Sequence, residues 1–260
     1  MKKLLLTLIF SAFALCADFE LNEYKTYILN DNGNGTATIT DDASIVVGSS
    51  GVVMRDFGNG LSSIIARAVV TKKDAGYATV QFEVYSSLAQ KALPLPKFMP
   101  QSGDSIILNF LYNRALIIAP NAEVYNQIVS AFPNTTFVHP DLVAADLNFE
   151  YKPNPSKDDF RRSCAKNAAG VIFAALDKEA FFIDCGSFAP LKTFKSGRIA
   201  SYHLPFYTRV ENIDTVFWKP DSGHINNYDK YYRRLILDEE TGGVADAAAL
   251  QAKEAKAESK

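Results

Sequence analysis

Hydrophobic and polar positions alternate every second residue over the first third of the chain and every three to four residues over much of the rest. The clearest alternation is at Thr79, Gln81 and Glu83 against Val80, Phe82 and Val84, a strand with one wet face and one buried face. Further short apolar runs at residues 24–29, 36–40, 45–47, 51–55, 63–71 and 77–85 predict strands, with Asn30 to Gly35 as a hairpin turn. With 106–110 as the closing strand, these predict a small antiparallel β-barrel over residues 18–113. Pro94, Pro96 and Pro100 lack amide donors, so the stretch before 106 reads as a crossover.

From residue 114 the period changes. Strand 115–119, a helix over 122–132 (Val124, Ile128, Val129 and Phe132 on one face), strand 136–138 and helices over 142–148 and 158–168 follow in order. Asp141 occupies an N-cap position for the first of these two helices, and Ser156 or Asp158 for the second. Residues 170–176 and 180–183 form an apolar hairpin about Asp177-Lys178-Glu179, and 190–194 and 199–204 extend the sheet. Parallel strand–helix–strand units beside an antiparallel hairpin predict a mixed sheet over 114–240. A helix over 228–237 docks on it. Residues 241–260 are rich in Ala, Lys and Glu with a weak apolar face, and read as a charged tail. The expected fold class is α+β: a small barrel, a mixed-sheet α/β domain with one disulfide hairpin, and the tail.

Composition adds an address. Lys2-Lys3, the apolar run 4–14 and Leu15-Cys16-Ala17 read as a signal peptide over residues 1–17, the run being too short to span a bilayer. Its loss removes two of the 27 basic side chains and none of the 29 acidic ones, moving the net charge from −2 to −4. That balance excludes a strongly basic nucleic-acid binder. Cys16 is a candidate lipid-attachment site, although Leu15 is bulky for that signal. Cleavage leaves Cys164 and Cys185. An even pair in an exported chain predicts a disulfide, with a hairpin between them to bring its ends together. A metal or redox pair would want CxxC spacing or a neighbouring histidine.

Chemistry-bearing patterns are few. His139, His203 and His224 are scattered, Asn30 to Asp41 matches a calcium loop poorly, and Asp41-Asp42, Asp158-Asp159 and Glu239-Glu240 are simple adjacent pairs. Cys185-Gly186-Ser187 does not make a nucleophile elbow. No cofactor motif is present and no constellation argues for an enzyme. Tyr202, Phe206, Tyr207, Phe217 and Trp218 read as core cover or as contact anchors, with core favoured.

Specific residues also carry a resemblance. Leu93 to Lys97 (Leu-Pro-Leu-Pro-Lys), Gly103-Asp104, residues 113–121 ending in Ala-Pro-Asn, and residues 123–128 (Glu-x-Tyr-x-Gln-Ile) are similar to the N-terminal domain of plasminogen-binding surface proteins of some Gram-negative bacteria. The similarity resumes at 162–164, 170–172, Cys185, Pro205-Phe206, 209–214 and 227–232. It implies an exported, non-enzymatic binder of host plasminogen. In that mechanism Lys260 presents an ammonium and a carboxylate to kringle modules, with Lys256 and Lys253 as accessory charges. The competing expectation is a periplasmic scaffold of the cell envelope, with envelope proteins as partners. A third is an enzyme or small-ligand carrier with its site at the seam between the two architectures. No segment reads as an integral membrane helix.

Overall fold

The computed structural model describes residues 22–85, 98–211, 213–216, 218 and 223–237. The leader, Pro94, Pro96, Phe217 and the tail with Lys253, Lys256 and Lys260 lie outside the described residues.

Seven strands make the first sheet: β1 (Tyr24–Tyr27), β2 (Asn30–Gly33), β3 (Thr36–Thr40), β4 (Ser50–Asp56), β5 (Ser62–Asp74), β6 (Tyr77–Glu83) and β7 (Ser105–Leu108). They pair antiparallel in the order β1-β7-β4-β5-β6-β3-β2. The long strand β5 meets register shifts against both neighbours, at Val53/Met54 and at Val70/Lys72. Such irregularities sharpen the right-handed twist and curl the sheet. Its concave side is filled by Ile39, Val53, Ala68, Val70, Val80, Ile106 and Leu108. The sheet is a curled half-barrel rather than the closed barrel expected from sequence. β1 follows β7 at one edge and β2 follows β3 at the other. The edges meet at one joint, where the Ile28 amide donates to the Asp104 carbonyl and the Leu29 amide to the Thr38 carbonyl (both 2.9 Å). Successive amides of an extended segment point to opposite edges, so the adjacent residues Ile28 and Leu29 serve one edge each.

The second sheet is mixed, in the order β12-β11-β10-β8-β9. Its strands are β8 (Arg114–Ile118), β9 (Thr136–Phe137), β10 (Val171–Leu176), β11 (Glu179–Asp184) and β12 (Pro190–Lys195). β8 runs parallel to β9 and β10, while β10, β11 and β12 are antiparallel. Every residue of β10 is buried, as a strand covered on both faces requires. α1 (Ala122–Ala131) covers one face through Ile128, against Ile117, Phe173 and Phe182. α2 (Pro140–Phe149), α3 (Lys157–Lys166) and α4 (Tyr228–Leu237) cover the other, over Leu116, Ile172 and Phe181. α4 is anchored by buried tyrosines, Tyr228 donating to the Ala175 carbonyl (3.1 Å) and Tyr232 to that of Pro205 (2.9 Å).

Three local readings change. Residues 45–47 are not a strand: Ile45 turns into the first core while Val46 packs against the second, so this segment straddles both. α2 is capped by His139, whose Nδ1 accepts from the Asp141 amide, rather than by Asp141. Pro140 fits the first turn because its missing N–H has no helical partner to lose. Residues 199–204 do not extend the sheet. They run irregularly past the end of β8, with the His203 amide on the Pro120 carbonyl (2.7 Å) and a cis bond between Leu204 and Pro205. α3 takes Ser156 as its cap, in a reciprocal box with Asp159.

Candidate functional site

Among the described residues, the two sheets meet at the loop before β4, the link between β7 and β8, and the corner after β11. The link is tightly wound. Asn109 and Leu111 both adopt left-handed φ (55° and 62°), and for a bulky leucine this is strained backbone that its surroundings must hold. Hydrogen bonds to both sides hold it. The Asn109 amide group donates to the Asn22 and Ser44 carbonyls (2.9 and 2.8 Å), and the Gly170 amide donates to the Leu111 carbonyl (3.1 Å). Residue 170 must be glycine, because a Cβ there would lie 2.5 Å from the Phe110 carbonyl oxygen.

At the centre lies Asp184, fully buried at the end of β11. Its Oδ1 accepts from the backbone amides of Gly186 (2.8 Å) and Ser187 (2.6 Å), which forms the corner. Its Oδ2 accepts from the Ser50 amide (3.2 Å), the Ser50 hydroxyl (2.6 Å) and the Tyr112 hydroxyl. Five donors from both sheets and the link thus share one carboxylate. Burial, and then the neighbouring Asp184 charge, push the Tyr112 hydroxyl well above its ordinary pKa, so it stays protonated and donates. The Ser187 hydroxyl adds a bond to the Gly48 carbonyl (2.8 Å).

Beside this corner opens a cleft of about 210 Å³, walled by Arg67 of β5 and Arg161 of α3. Its floor includes Gly170 and the disulfide of Cys164 and Cys185, whose Cα atoms are 6.1 Å apart. The expected cysteine pair is therefore joined, with a different geometry: the bridge ties the last turn of α3 to the residue after β11, rather than the two ends of the hairpin.

The other singled-out residues are dispersed. His139 caps α2, and His203 Nδ1 lies 2.9 Å from the Phe206 carbonyl oxygen. Asn30 to Thr40 form a hairpin, the first strand of which is exposed along its length. The aromatic cluster is split. Phe206 is buried, Tyr207 is half-buried, and Tyr202 and Trp218 are 42% and 63% exposed. Sequence reasoning passed over Asp184, Ser50, Tyr112, Arg67 and Arg161. The one local signal was an acid ending an apolar strand two residues before glycine, the pattern of a side-chain-capped corner.

Among known proteins, the family model described as "Plasminogen-binding protein pgbA N-terminal" matches residues 23–236. Plasminogen-binding protein PgbA from each of two strains of Helicobacter pylori is 30% identical over 179 residues, covering 67% of this chain and 39% of the relative. The matched region thus spans about two fifths of the length of these curated relatives. No solved structure matches. The family match takes in both sheets and the seam between them, and the chain belongs to the family defined by the N-terminal region of plasminogen-binding protein PgbA.

Proposed function

We propose that this protein is an exported, non-enzymatic binder of host plasminogen, and that lysines of the tail are what the kringle modules grasp. The observation that carries the reading is the 30% identity to relatives named for plasminogen binding. Lys260 is the proposed primary ligand, with Lys256 and Lys253 adding positive charge nearby. An ammonium beside an anionic pair, its methylene stem between aromatic rings, uses charge and apolar contact together. The disulfide of Cys164 and Cys185 supports export, because such bridges persist in oxidising compartments. Among the described residues no helix is long and apolar enough to cross a membrane.

The test is surface plasmon resonance of the full chain against plasminogen. Deleting Lys260, or adding free lysine in excess, is expected to abolish capture. Capture that survives both treatments overturns the lysine mechanism, and no capture by the intact chain overturns the function itself.

A second reading, a periplasmic scaffold of the envelope, is favoured by one observation. Most of each relative's length lies outside the match, so the activity in their name can reside there. Protease shaving of intact cells separates the two. Cleavage supports surface display, and full protection leaves the scaffold.

A further inference from the structure

The cleft beside the Asp184 corner brings two cations onto one residue. Arg67 pairs across the strand ladder with Glu83 through Nη2, while its Nε is buried with no acceptor among the described residues. Its Nη1 lies so close to Gly186 that a Cβ there would be 2.0 Å away. Arg161 reaches the same glycine from α3, its Nε donating to the Gly186 carbonyl (2.9 Å) and its Nη1 to Asp158 (2.8 Å). Glu83 answers the charge of Arg67. Asp158 is 76% exposed, so solvent screens much of what it offers Arg161. Glu83, Asp158 and the Asp184 carboxylate beneath the Gly186 corner offset the two guanidinium charges, so what the cleft offers an anion is directed guanidinium N–H groups in a partly water-excluded place, where a buried N–H without an acceptor is costly.

Ser50 and Tyr85 add polar groups to the lining, and the other side chains are apolar, with Val52, Leu111 and Ala165 beside the disulfide. A volume of about 210 Å³ holds roughly seven waters at about 30 Å³ each. That size suits a molecule of a few carbons. An anion-binding end, apolar walls and small volume are together the complement of a short aliphatic carboxylate.

We propose that this seam cleft binds small aliphatic carboxylates, the carboxylate held by Arg67 and Arg161 and the aliphatic part lying on Val52, Leu111 and Ala165. A free organic acid and the carboxyl terminus of a short peptide share this chemistry. The site is independent of plasminogen capture, which neither arginine serves in the reading above.

The test is a ¹H–¹⁵N NMR titration of the full chain with hexanoate and, separately, with acetyl-Ala-Leu as the free acid. Hexanamide and the peptide amide are the uncharged controls. Saturable shifts at the Gly170 and Gly186 amides are expected with at least one acid, with affinity at least tenfold weaker for its amide. Response to hexanoate alone assigns a free acid as the natural class, and response to the peptide assigns a chain terminus. Arg161→Gln and, separately, Arg67→Gln are expected to raise Kd at least tenfold. Spectra of each variant outside the cleft report whether it is folded. Two results overturn the site: no saturation by either acid, or an acid affinity that equals its amide's or is unchanged in a folded arginine variant.

Discussion

Replacing Asp184 tests the seam directly. In Asp184→Ala, four donors lose their acceptor: the hydroxyls of Ser50 and Tyr112 and the amides of Gly186 and Ser187. The Ser50 amide keeps the Tyr112 oxygen at 2.9 Å. The corner amides are half-buried and can recover water, so the cost falls mainly on the two hydroxyls, whose residues are buried. A hydrogen bond to a charged group nets about 1.5–3 kcal/mol, so the expected loss is about 3–5 kcal/mol. That is a large share of the roughly 5–15 kcal/mol that holds a typical domain folded. Asp184→Asn keeps the shape and one acceptor, and is expected to lose less. Tyr112→Phe is expected to cost about 1.5–3 kcal/mol in the native background. In the Asp184→Ala background it should cost at least about 1 kcal/mol less, because there it removes an orphaned donor and only the neutral bond that the Ser50 amide makes to the Tyr112 oxygen. Urea denaturation read by tyrosine and tryptophan fluorescence gives each value. If Asp184→Ala costs under about 1 kcal/mol, or Tyr112→Phe costs the same in both backgrounds, the carboxylate does not hold the sheets together.

Three other perturbations bear on different parts of the fold. The double substitution Cys164→Ala with Cys185→Ala is expected to lower stability by about 3 kcal/mol in urea, and reductant should bring the native protein to the same midpoint. Burial alone would raise the Asp141 carboxyl, but the Arg209 amide, the Thr208 hydroxyl and the Arg209 guanidinium outweigh it and draw its pKa down to about 2. A depressed folded pKa contributes stability above the unfolded value near 3.8 and loses it as pH falls through about 2. Because Arg209 is largely exposed, this amounts to about 1–2 kcal/mol, and Asp141→Asn should flatten the urea midpoint over that window. Gly51→Ala places a Cβ 2.0 Å from the Ile107 carbonyl oxygen across the β4–β7 ladder. Backbone cannot swing aside as a side chain can, so a loss of about 3 kcal/mol is expected in thermal unfolding.

What the sequence disclosed follows from the range of the forces involved. The helix over 228–237 has the same limits in the structure, and β10 and β11 lie within a residue or two of the apolar runs that predicted them. Both signals are local periodicity. The curl of the first sheet was legible as many short strands, but whether its edges pair depends on a two-residue joint at Ile28 and Leu29 that no local pattern marks. Ile45-Val46-Val47 has strand composition, yet Ile45 and Val46 are drawn into different cores, a tertiary demand that overrides propensity. The cysteine pair was legible from count once Cys16 was assigned to the expected leader. The donors to Asp184 were not, because Ser50 and Tyr112 are 134 and 72 residues away from it.

The boundary between residues 113 and 114 separates two patterns of periodicity, but the bonding of Asp184 argues that it does not separate two folding units. Ser50 and Tyr112 lie on one side of that boundary and Asp184 on the other. Gly48 packs on Ala189 so closely that a Cβ on the glycine would be 2.5 Å from that of Ala189. Cutting the chain there would leave a buried carboxylate facing water or apolar surface in one half. In the other half, Tyr112 and Ser50 would lack their shared acceptor, and Leu111 would lose the Gly170 contact that holds its strained φ. Residues 18–113 and 114–240, expressed apart, are therefore expected to stay unfolded, while the whole chain melts in one transition. Two separate transitions in the intact chain, with Asp184→Ala lowering only one, would show that the seam joins finished domains and does not complete unfinished ones.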